Sequence, residues 1–196
     1  CVLMGMPSVF GQELQLPSGN QYLADSEFLI MPTYAGIGNN VRVRLSATSQ
    51  WVGLKEAPDY QSLSGDMRLG NRSGLGLSLY NDRNGYTKQM GAKATFSHHL
   101  TLDSYDSHFV SFGISYLVNA FRIDIDKFTE AGRPRADAAV TDNRAMINHN
   151  FEVGVLYRYK GIFASLAATN ILNKNKEMFD VKEPTTLRNY NLYAGY

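Results

Sequence analysis

The chain has 196 residues, which is enough for one domain with a sizeable core. Its formal net charge is +1 and 19% of its residues are charged, so no strongly basic surface indicates nucleic-acid binding. Cys1 is its single cysteine, which excludes an internal disulfide framework and a zinc site built from Cys-x-x-Cys pairs.

Residues 1–11 are short, apolar and uncharged, and we interpret them as the remnant of a cleaved signal peptide. Val9 and Gly11 stand at the small-residue cleavage positions, while the positively charged start of such a peptide is missing, so we expect a truncated beginning. The alternative is that Cys1 is the lipidated first residue of the mature chain. Both interpretations predict export from the cytoplasm.

Residues 12–40 have no strand pattern, and we expect them to form an N-terminal plug or periplasmic segment outside the sheet. They end in "MPTYAGIGNN", where Gly36 and Gly38 permit a positive φ and Pro32 bars a continuing helix. We predict that this turn-rich stretch redirects the chain from a lumen into the first strand. The alternative is a plain surface turn.

From residue 41 onward, apolar and polar residues alternate with a period of two, which indicates β-strands. Leu77 and Ile114, for example, fall on one face, and their neighbours Ser78 and Ser115 fall on the other. The predicted strands are 41–52, 60–69, 73–81, 89–102, 107–119, 150–159, 161–170 and 189–196.

Several features favour a membrane β-barrel over a soluble β-sandwich. The strands are about ten residues long, as a tilted strand that spans a bilayer must be, and no apolar run reaches the roughly 18 residues of a membrane helix. The polar face is rich in Gly and Ser, as expected of a wet lumen. Aromatic residues near strand ends predict an interfacial girdle: Trp51, Tyr60, Phe109, Tyr157, Tyr159 and Tyr196.

The sequence therefore predicts an all-β fold, a transmembrane antiparallel β-barrel of the outer-membrane type with about eight strands in residues 41–196. We expect the charged residues of the polar face to line the lumen, where they either pair with one another or bind a substrate. These residues are Arg42, Arg44, Asp66, Arg68, Lys93, Glu152 and Arg158.

Long and short connections alternate along the chain, and in outer-membrane barrels the longer loops are extracellular. The predicted outer loops are 53–58, 82–88, 124–149 and 171–188. The loop 124–149 is the longest, and we consider it the candidate contact with a partner protein. Its candidate residues are Phe128, Arg133, Arg135, Asp137, Asp142 and Arg144.

Sequence patterns for catalysis are weak. Gly74 and Gly76 lack the third glycine and the helix of a nucleotide-binding loop. His98 and His99 point to opposite faces of a strand, so they cannot bind one metal ion together. No Gly-x-Ser-x-Gly motif is present. We therefore expect no catalytic residue, no cofactor and no metal.

Several ordered motifs carry a resemblance to a known family. "MPTYAGIGNN" resembles the Asn-Pro-Ala-Tyr-Ala-Gly signature of the PorP/SprF family, with Met31 and Thr33 as departures. "QWVGLKEAPDYQSLS", "GLGLSLYNDRNG", "ATNILN" and "RNYNLYAGY" resemble later landmarks of that family, and Glu56 departs from it. The residues that match the first two motifs are Pro32, Tyr34, Ala35, Gly36, Trp51, Gly53 and Pro58.

The resemblance implies an outer-membrane protein of the type IX secretion system in Bacteroidetes-type bacteria. It implies gliding motility or protein secretion as the process, with a secreted protein or surface adhesin, other secretion components and outer-membrane lipid as partners. Family barrels have more than eight strands, so we expect an incomplete piece of a larger barrel; a complete small barrel is the alternative. The functional alternatives are a passive small-solute channel and an outer-membrane enzyme.

Overall fold

The computed structural model describes residues 27–51, 53, 57–103, 107–123, 144–172 and 188–196. Two 3₁₀ helices, Glu27–Leu29 and Pro32–Tyr34, precede the strands, and no α-helix occurs in the described ranges. Within the same ranges, no helix has the length and apolar character that crossing a membrane requires. The strands are β1 (Arg42–Ser49), β2 (Asp59–Leu69), β3 (Ser73–Asn84), β4 (Thr87–Thr101), β5 (His108–Ile123), β6 (Arg144–Tyr159), β7 (Ile162–Thr169) and β8 (Asn189–Gly195).

The eight strands form one antiparallel sheet in which each strand pairs with its neighbours in sequence. This confirms the predicted all-β antiparallel fold and the number of strands. β1 and β8 are the edges of the sheet, and no pairing joins them among the described residues.

β6 begins earlier than the sequence pattern predicted. It starts at Arg144, which pairs with Ile123 of β5, so the loop predicted over 124–149 extends over no more than 124–143. The alternation is obscured here because the apolar Met146 falls on the otherwise polar face and His149 falls on the apolar face. The start of β6 was therefore misplaced because Met146 and His149 each differ in polarity from the other residues of their face.

The predicted loop 82–88 is also wrong. β3 continues to Asn84 and β4 begins at Thr87, so only two residues connect them. The two residues are Gly85 and Tyr86, and Gly85 has a φ of +60°, the positive φ that the first residue of a two-residue hairpin loop requires. The strict alternation of long and short connections therefore fails at this hairpin.

The sheet has a polarity opposite to that of a water-soluble protein. We call its two surfaces the polar face and the apolar face. Buried polar and charged residues of the polar face are Ser64, Asp66, Ser78, Lys93, Thr95, Ser97, His99, Ser111, Ser115, Asn150, Glu152 and Ser165. Exposed residues of the apolar face include Val43, Leu45, Leu63, Leu77, Leu79, Phe96, Phe112, Ile114, Val153, Val155, Leu166 and Leu192.

Candidate functional site

The polar face is covered by residues 27–40, which we call the docked segment. Its second 3₁₀ helix contacts β4, β5 and β6. The segment is buried from Phe28 and then from Met31 through Gly36. Its apolar residues pack with Leu156 and Ala167 of the sheet to form the hydrophobic core.

Glycines of the polar face allow the docked segment to approach the sheet backbone. A Cβ at Gly74 would lie 2.1 Å from the carbonyl oxygen of Ala35, and one at Gly113 would lie 2.4 Å from the carbonyl carbon of Pro32. These distances are too short for any side chain, so only glycine fits at both positions. A Cβ at Gly76 would lie 2.7 Å from the Phe28 ring. Gly74, Gly76 and Gly113 thus pack against the docked segment and do not line water, contrary to the expectation for the glycines on this face.

Polar side chains of the sheet satisfy the backbone of the docked segment. The Ala35 carbonyl accepts hydrogen bonds from the Ser97 hydroxyl and from Nε2 of His99, the latter at 3.0 Å. The Leu29 carbonyl accepts a hydrogen bond of 2.8 Å from Nζ of Lys93. Because a buried carbonyl without a donor is costly, these contacts explain why a polar face suits this segment.

Ser97 and His99 were not predicted as contacts of the docked segment. The period of two places Ser97 on the same face as Lys93, and this shared face was the only indication in the sequence that Ser97 points toward the interior. The contact itself could not be read from the sequence, because Ala35 and His99 are 64 residues apart.

Asp66 fixes the point where the docked segment enters β1. Its carboxylate accepts two hydrogen bonds of 2.9 Å from Nε and Nη2 of Arg42, and one of 2.9 Å from the backbone N–H of Gly36. Glu27 adds a second carboxylate 3.4 Å from Nη1 of Arg42. This network joins β1, β2 and the docked segment, and bidentate guanidinium–carboxylate pairs are among the stronger hydrogen bonds.

The turn-rich stretch at 31–40 adopts part of its predicted conformation. Gly36 has a φ of +63°, whereas Gly38 does not take a positive φ. Pro32 begins the second 3₁₀ helix, where its missing N–H is not needed. The stretch leads from the polar face to the start of β1.

The other charged residues of the polar face have different surroundings. Lys93 and Glu152 form a buried ion pair across the face. Arg44 lies opposite Ser64 of β2 and is half-buried. Arg68 donates hydrogen bonds to Oδ1 of Asn39, at 2.9 Å, and to the carbonyl of Asn71.

Arg158 lies 5.1 Å from the ring centre of Phe109 and so stacks on an aromatic face. Phe109 therefore contacts a residue of the polar face and does not belong to the predicted girdle at the membrane interface. Asp66 and Glu152 are held in ion pairs with Arg42 and Lys93. Within the described ranges, Arg68 and Arg158 form no ion pair with a carboxylate.

Tyr34 is the aromatic centre of the docked segment. Its ring centre lies 6.2 Å from that of Tyr193 in β8. Burial raises the pKa of Tyr34 to about 12, with smaller contributions from Tyr193 and Glu27, while Arg158 acts in the opposite direction. The phenol is therefore neutral and a hydrogen-bond donor at physiological pH.

Most candidate partner-loop residues lie outside the described residues. These are Phe128, Arg133, Arg135, Asp137 and Asp142. Arg144, the sixth, is instead the first residue of β6. The predicted partner loop thus loses one of its six residues to the sheet.

The family-motif residues lie in two places. Pro32, Tyr34, Ala35 and Gly36 belong to the docked segment. Trp51, Gly53 and Pro58 follow β1, where Trp51 is exposed and Pro58 accepts a 3.0 Å hydrogen bond from the N–H of Gln50. The motif therefore includes both the docked segment and the first connection between strands.

Asn150 lies beyond the last pair of β6 with β7, Val153 with Ala168, and binds the chain that follows β7. Its Oδ1 accepts a hydrogen bond of 3.0 Å from the Leu172 N–H, and its Nδ2 donates one of 3.1 Å to Asn170. Asn170 has a φ of +56°, which turns the chain away from the sheet. The "ATNILN" motif, residues 168–173, thus coincides with the end of β7, and its last residue lies outside the described part.

In the described part of the chain, no three His, Cys, Asp or Glu residues are grouped as metal ligands would be. The contacts that are present bind peptide groups and pair opposite charges. This arrangement can hold a polypeptide segment against the sheet.

The family model for type IX secretion system membrane protein PorP/SprF matches residues 11–196. Neither the search of curated proteins nor the search of solved structures returned a match. The matched family is a membrane component of a secretion system and not an enzyme family, which implies other secretion components as partners. Because the match spans most of the sequence, the chain belongs to the PorP/SprF family of type IX secretion system membrane proteins.

Proposed function

We propose that the chain forms the wall of an outer-membrane β-barrel that assists secretion or surface anchoring of a partner protein. In this proposal the apolar face contacts lipid, the polar face lines the interior, and the docked segment is the plug of that interior. The observation that carries the proposal is the polarity of the sheet, in a chain that belongs to a secretion-system membrane family.

The apolar face supports a lipid environment. Leu77 is 55% exposed, Phe112 52% and Val43 72%, and they belong to a face that continues across the sheet. Exposing such a surface to water is unfavourable by roughly 25 cal/mol per Å² of apolar area. In hydrocarbon the same surface carries no such cost, and the buried polar face keeps its charges away from lipid.

The lengths of the connections between strands indicate which end of the sheet faces the partner protein. Residues 124–143 connect the ends of β5 and β6, and residues 170–188 connect β7 to β8 on the same side of the sheet. The opposite side carries short turns, including Gly70–Arg72 and Lys160–Gly161. Because outer-membrane barrels have longer loops outside, we assign 124–143 to the cell surface and to contact with the partner protein.

The docked segment argues against an open channel through this part of the sheet, because it fills the polar face where solute would pass. An enzyme receives no support from the grouping of the described side chains. We therefore retain one function, in which a secreted protein or surface adhesin is the partner.

A gene deletion with complementation tests the proposal. We expect the chain in the outer-membrane fraction, where the folded and boiled forms migrate differently on a gel. Surface labelling of deletion cells should show the loss of one or a few secreted proteins, and the complementing gene should restore them.

The result can contradict the proposal in two separate ways. A chain in the soluble fraction would overturn the membrane barrel. A chain in the outer membrane together with an unchanged set of surface proteins would overturn the role in secretion. A matched complementing variant, Gly38→Ala, should behave as wild type because a Cβ there meets no close atom.

A further inference from the structure

Two arginines lie at the end of the polar face that carries the short turns, and one of them, Arg68, bonds to Asn39 of the docked segment. Arg68 lies just before the turn Gly70–Arg72, and Arg158 lies just before the turn Lys160–Gly161. Arg158 and Arg68 are within electrostatic range of each other, and both act on His99. Tyr34 is within electrostatic range of Arg158.

Three polar atoms in this cluster are shielded from solvent and have no hydrogen-bond partner in the described part of the chain. They are the Nε of Arg68, the Nε of Arg158 and the hydroxyl of Tyr34. The Tyr34 side chain belongs to a residue that is only 8% exposed. A buried donor without an acceptor costs roughly 1–3 kcal/mol, so the three donors, in residues at one end of the polar face, favour binding of an acceptor there.

The charges of the polar face are unbalanced at the same place. Asp66 is held by Arg42, and Glu152 is held by Lys93. The hydrogen bonds of Arg68 go to neutral oxygens, and Arg158 stacks on Phe109. Two positive charges that repel each other therefore lack an ion pair with any described carboxylate.

We propose that Arg68, Arg158 and Tyr34 form a binding site for an oxyanion, a carboxylate or a phosphate. A guanidinium donates two parallel hydrogen bonds to either group, and the Tyr34 hydroxyl supplies another donor. The Arg158 guanidinium carbon lies 5.1 Å from the centre of the Phe109 ring, and this neutral contact leaves the positive charge of Arg158 without an anion. This site is independent of the proposed role in secretion.

Calorimetric titration of the folded chain in detergent micelles tests the site. Inorganic phosphate and acetate are titrated separately at constant ionic strength, with chloride as the reference anion. We expect one phosphate or one acetate to bind per chain, and the stronger of the two identifies the class of oxyanion. Chloride should give no saturable heat.

Variants locate the binding site. Arg158→Gln should weaken binding at least tenfold, and Tyr34→Phe should weaken it severalfold because one donor is lost. Arg122→Gln, at an exposed position of β5, is the matched control and should bind as wild type. Arg158→Lys keeps the charge without the planar donor pair and should lie between wild type and Arg158→Gln.

The proposal is overturned if folded wild-type chain binds neither phosphate nor acetate more strongly than chloride. It is also overturned if Arg158→Gln folds and binds as wild type does. Folding of each variant is checked by the difference in gel migration between boiled and unboiled samples. If Arg158→Gln does not fold, the proposal is tested by the wild-type titration and by Tyr34→Phe. Binding by Tyr34→Phe as strong as that of wild type would then overturn it.

Discussion

Gly113 of β5 lies directly against the backbone of Pro32: a Cβ built at position 113 would be 2.4 Å from the Pro32 carbonyl carbon and 2.6 Å from its oxygen. Both atoms belong to main chain, so a larger residue cannot be accommodated by rotation of a side chain. The close approach of the docked segment to the sheet therefore depends on glycine at position 113.

Replacing Gly113 with alanine should displace the docked segment. The expected cost is about 1–3 kcal/mol, the usual range for overpacking a filled site. Limited proteolysis within residues 27–40 measures the displacement, and cleavage should be faster than in wild type. Gly38→Ala is the control, because its nearest atom is 4.0 Å away. Equal cleavage of both variants would show that the contact between Gly113 and Pro32 does not hold the segment.

The buried ion pair between Lys93 and Glu152 predicts an asymmetry between single and double substitutions. Glu152→Gln leaves the Lys93 charge buried without its carboxylate and should destabilise the fold by about 3–5 kcal/mol. The double variant Lys93→Met with Glu152→Leu removes both charges, although the Leu29 carbonyl loses its donor, and should be less destabilised. Urea unfolding in detergent measures the difference, with exposed Lys88→Met as the control. A double variant less stable than Glu152→Gln would contradict this.

The period of two was sufficient to predict the strands and the two faces, because each residue of a strand takes its face from its parity alone. Leu77 and Ser78, for example, were assigned to opposite faces, and the structure places them so. The start of β6 was missed because the apolar Met146 lies on the polar face, against the pattern. The hairpin at Gly85 was missed because Asp82 and Arg83 are polar strand residues next to a turn.

The contacts of the docked segment could not be predicted from the sequence. The carbonyl of Ala35 meets His99, and Thr33 meets Ser165, over separations of 64 and 132 residues. The glycines that contact the docked segment were interpreted as lining a wet lumen. A glycine in the sequence is compatible both with open space and with close approach of another backbone, so the sequence could not distinguish the two. Only the fold shows that Pro32 lies against Gly113.

Charges placed on the apolar face should destabilise the chain in a way that depends on depth. Leu77→Arg, at the middle of β3, should cost about 2–4 kcal/mol in a bilayer. Leu69→Arg, at the end of β2, should cost about 0–1 kcal/mol because the side chain reaches the interface. Folding into vesicles measures both, with Leu77→Met as the control. Equal cost at the two depths would contradict a lipid-facing surface.

Substitution of the polar face by a large charge should also be costly. A wet lumen, as expected from the Gly- and Ser-rich polar face, would tolerate Ser115→Arg, but Ser115 is buried and its hydroxyl lies 2.8 Å from that of Thr95. We therefore expect Ser115→Arg to destabilise folding by more than 2 kcal/mol, of the order of overpacking and burial of an unpaired charge together. Ser115→Ala is the matched control. Wild-type stability of Ser115→Arg would indicate free space that the structure does not show.

High pH should release the docked segment. The pKa of Tyr34 is about 12 when docked and about 10 when exposed, so only the undocked phenol loses its proton between these values. Docking is thus fully stable below pH 10 and weakens as the pH rises from 10 to 12. Proteolysis of residues 27–40 with an alkali-stable protease measures the effect. The variant Tyr34→Phe has no ionisable group at this position, so its cleavage rate should not rise between pH 10 and 12 as that of wild type does. The same rise in both proteins would contradict the role of Tyr34.

Deletion of residues 130–143 should leave the sheet intact but abolish surface display of the partner protein. The deletion leaves Ile123 and Arg144 in place, since these residues close the ladder between β5 and β6. The remaining residues 124–129 still connect the two strands, and loop-closure entropy changes slowly with loop length, so we expect little change in the stability of the fold. Binding of the partner should be lost because the loop carries the candidate contact residues. Whole-cell labelling of the partner measures display, and a blot of the outer membrane checks the level of the chain. Substitution of Asn71 and Arg72 in the short opposite turn is the matched control and should leave display unchanged. Normal display after the deletion would exclude 124–143 as the contact and direct attention to the docked segment, whose variant Gly113→Ala would then be expected to reduce display.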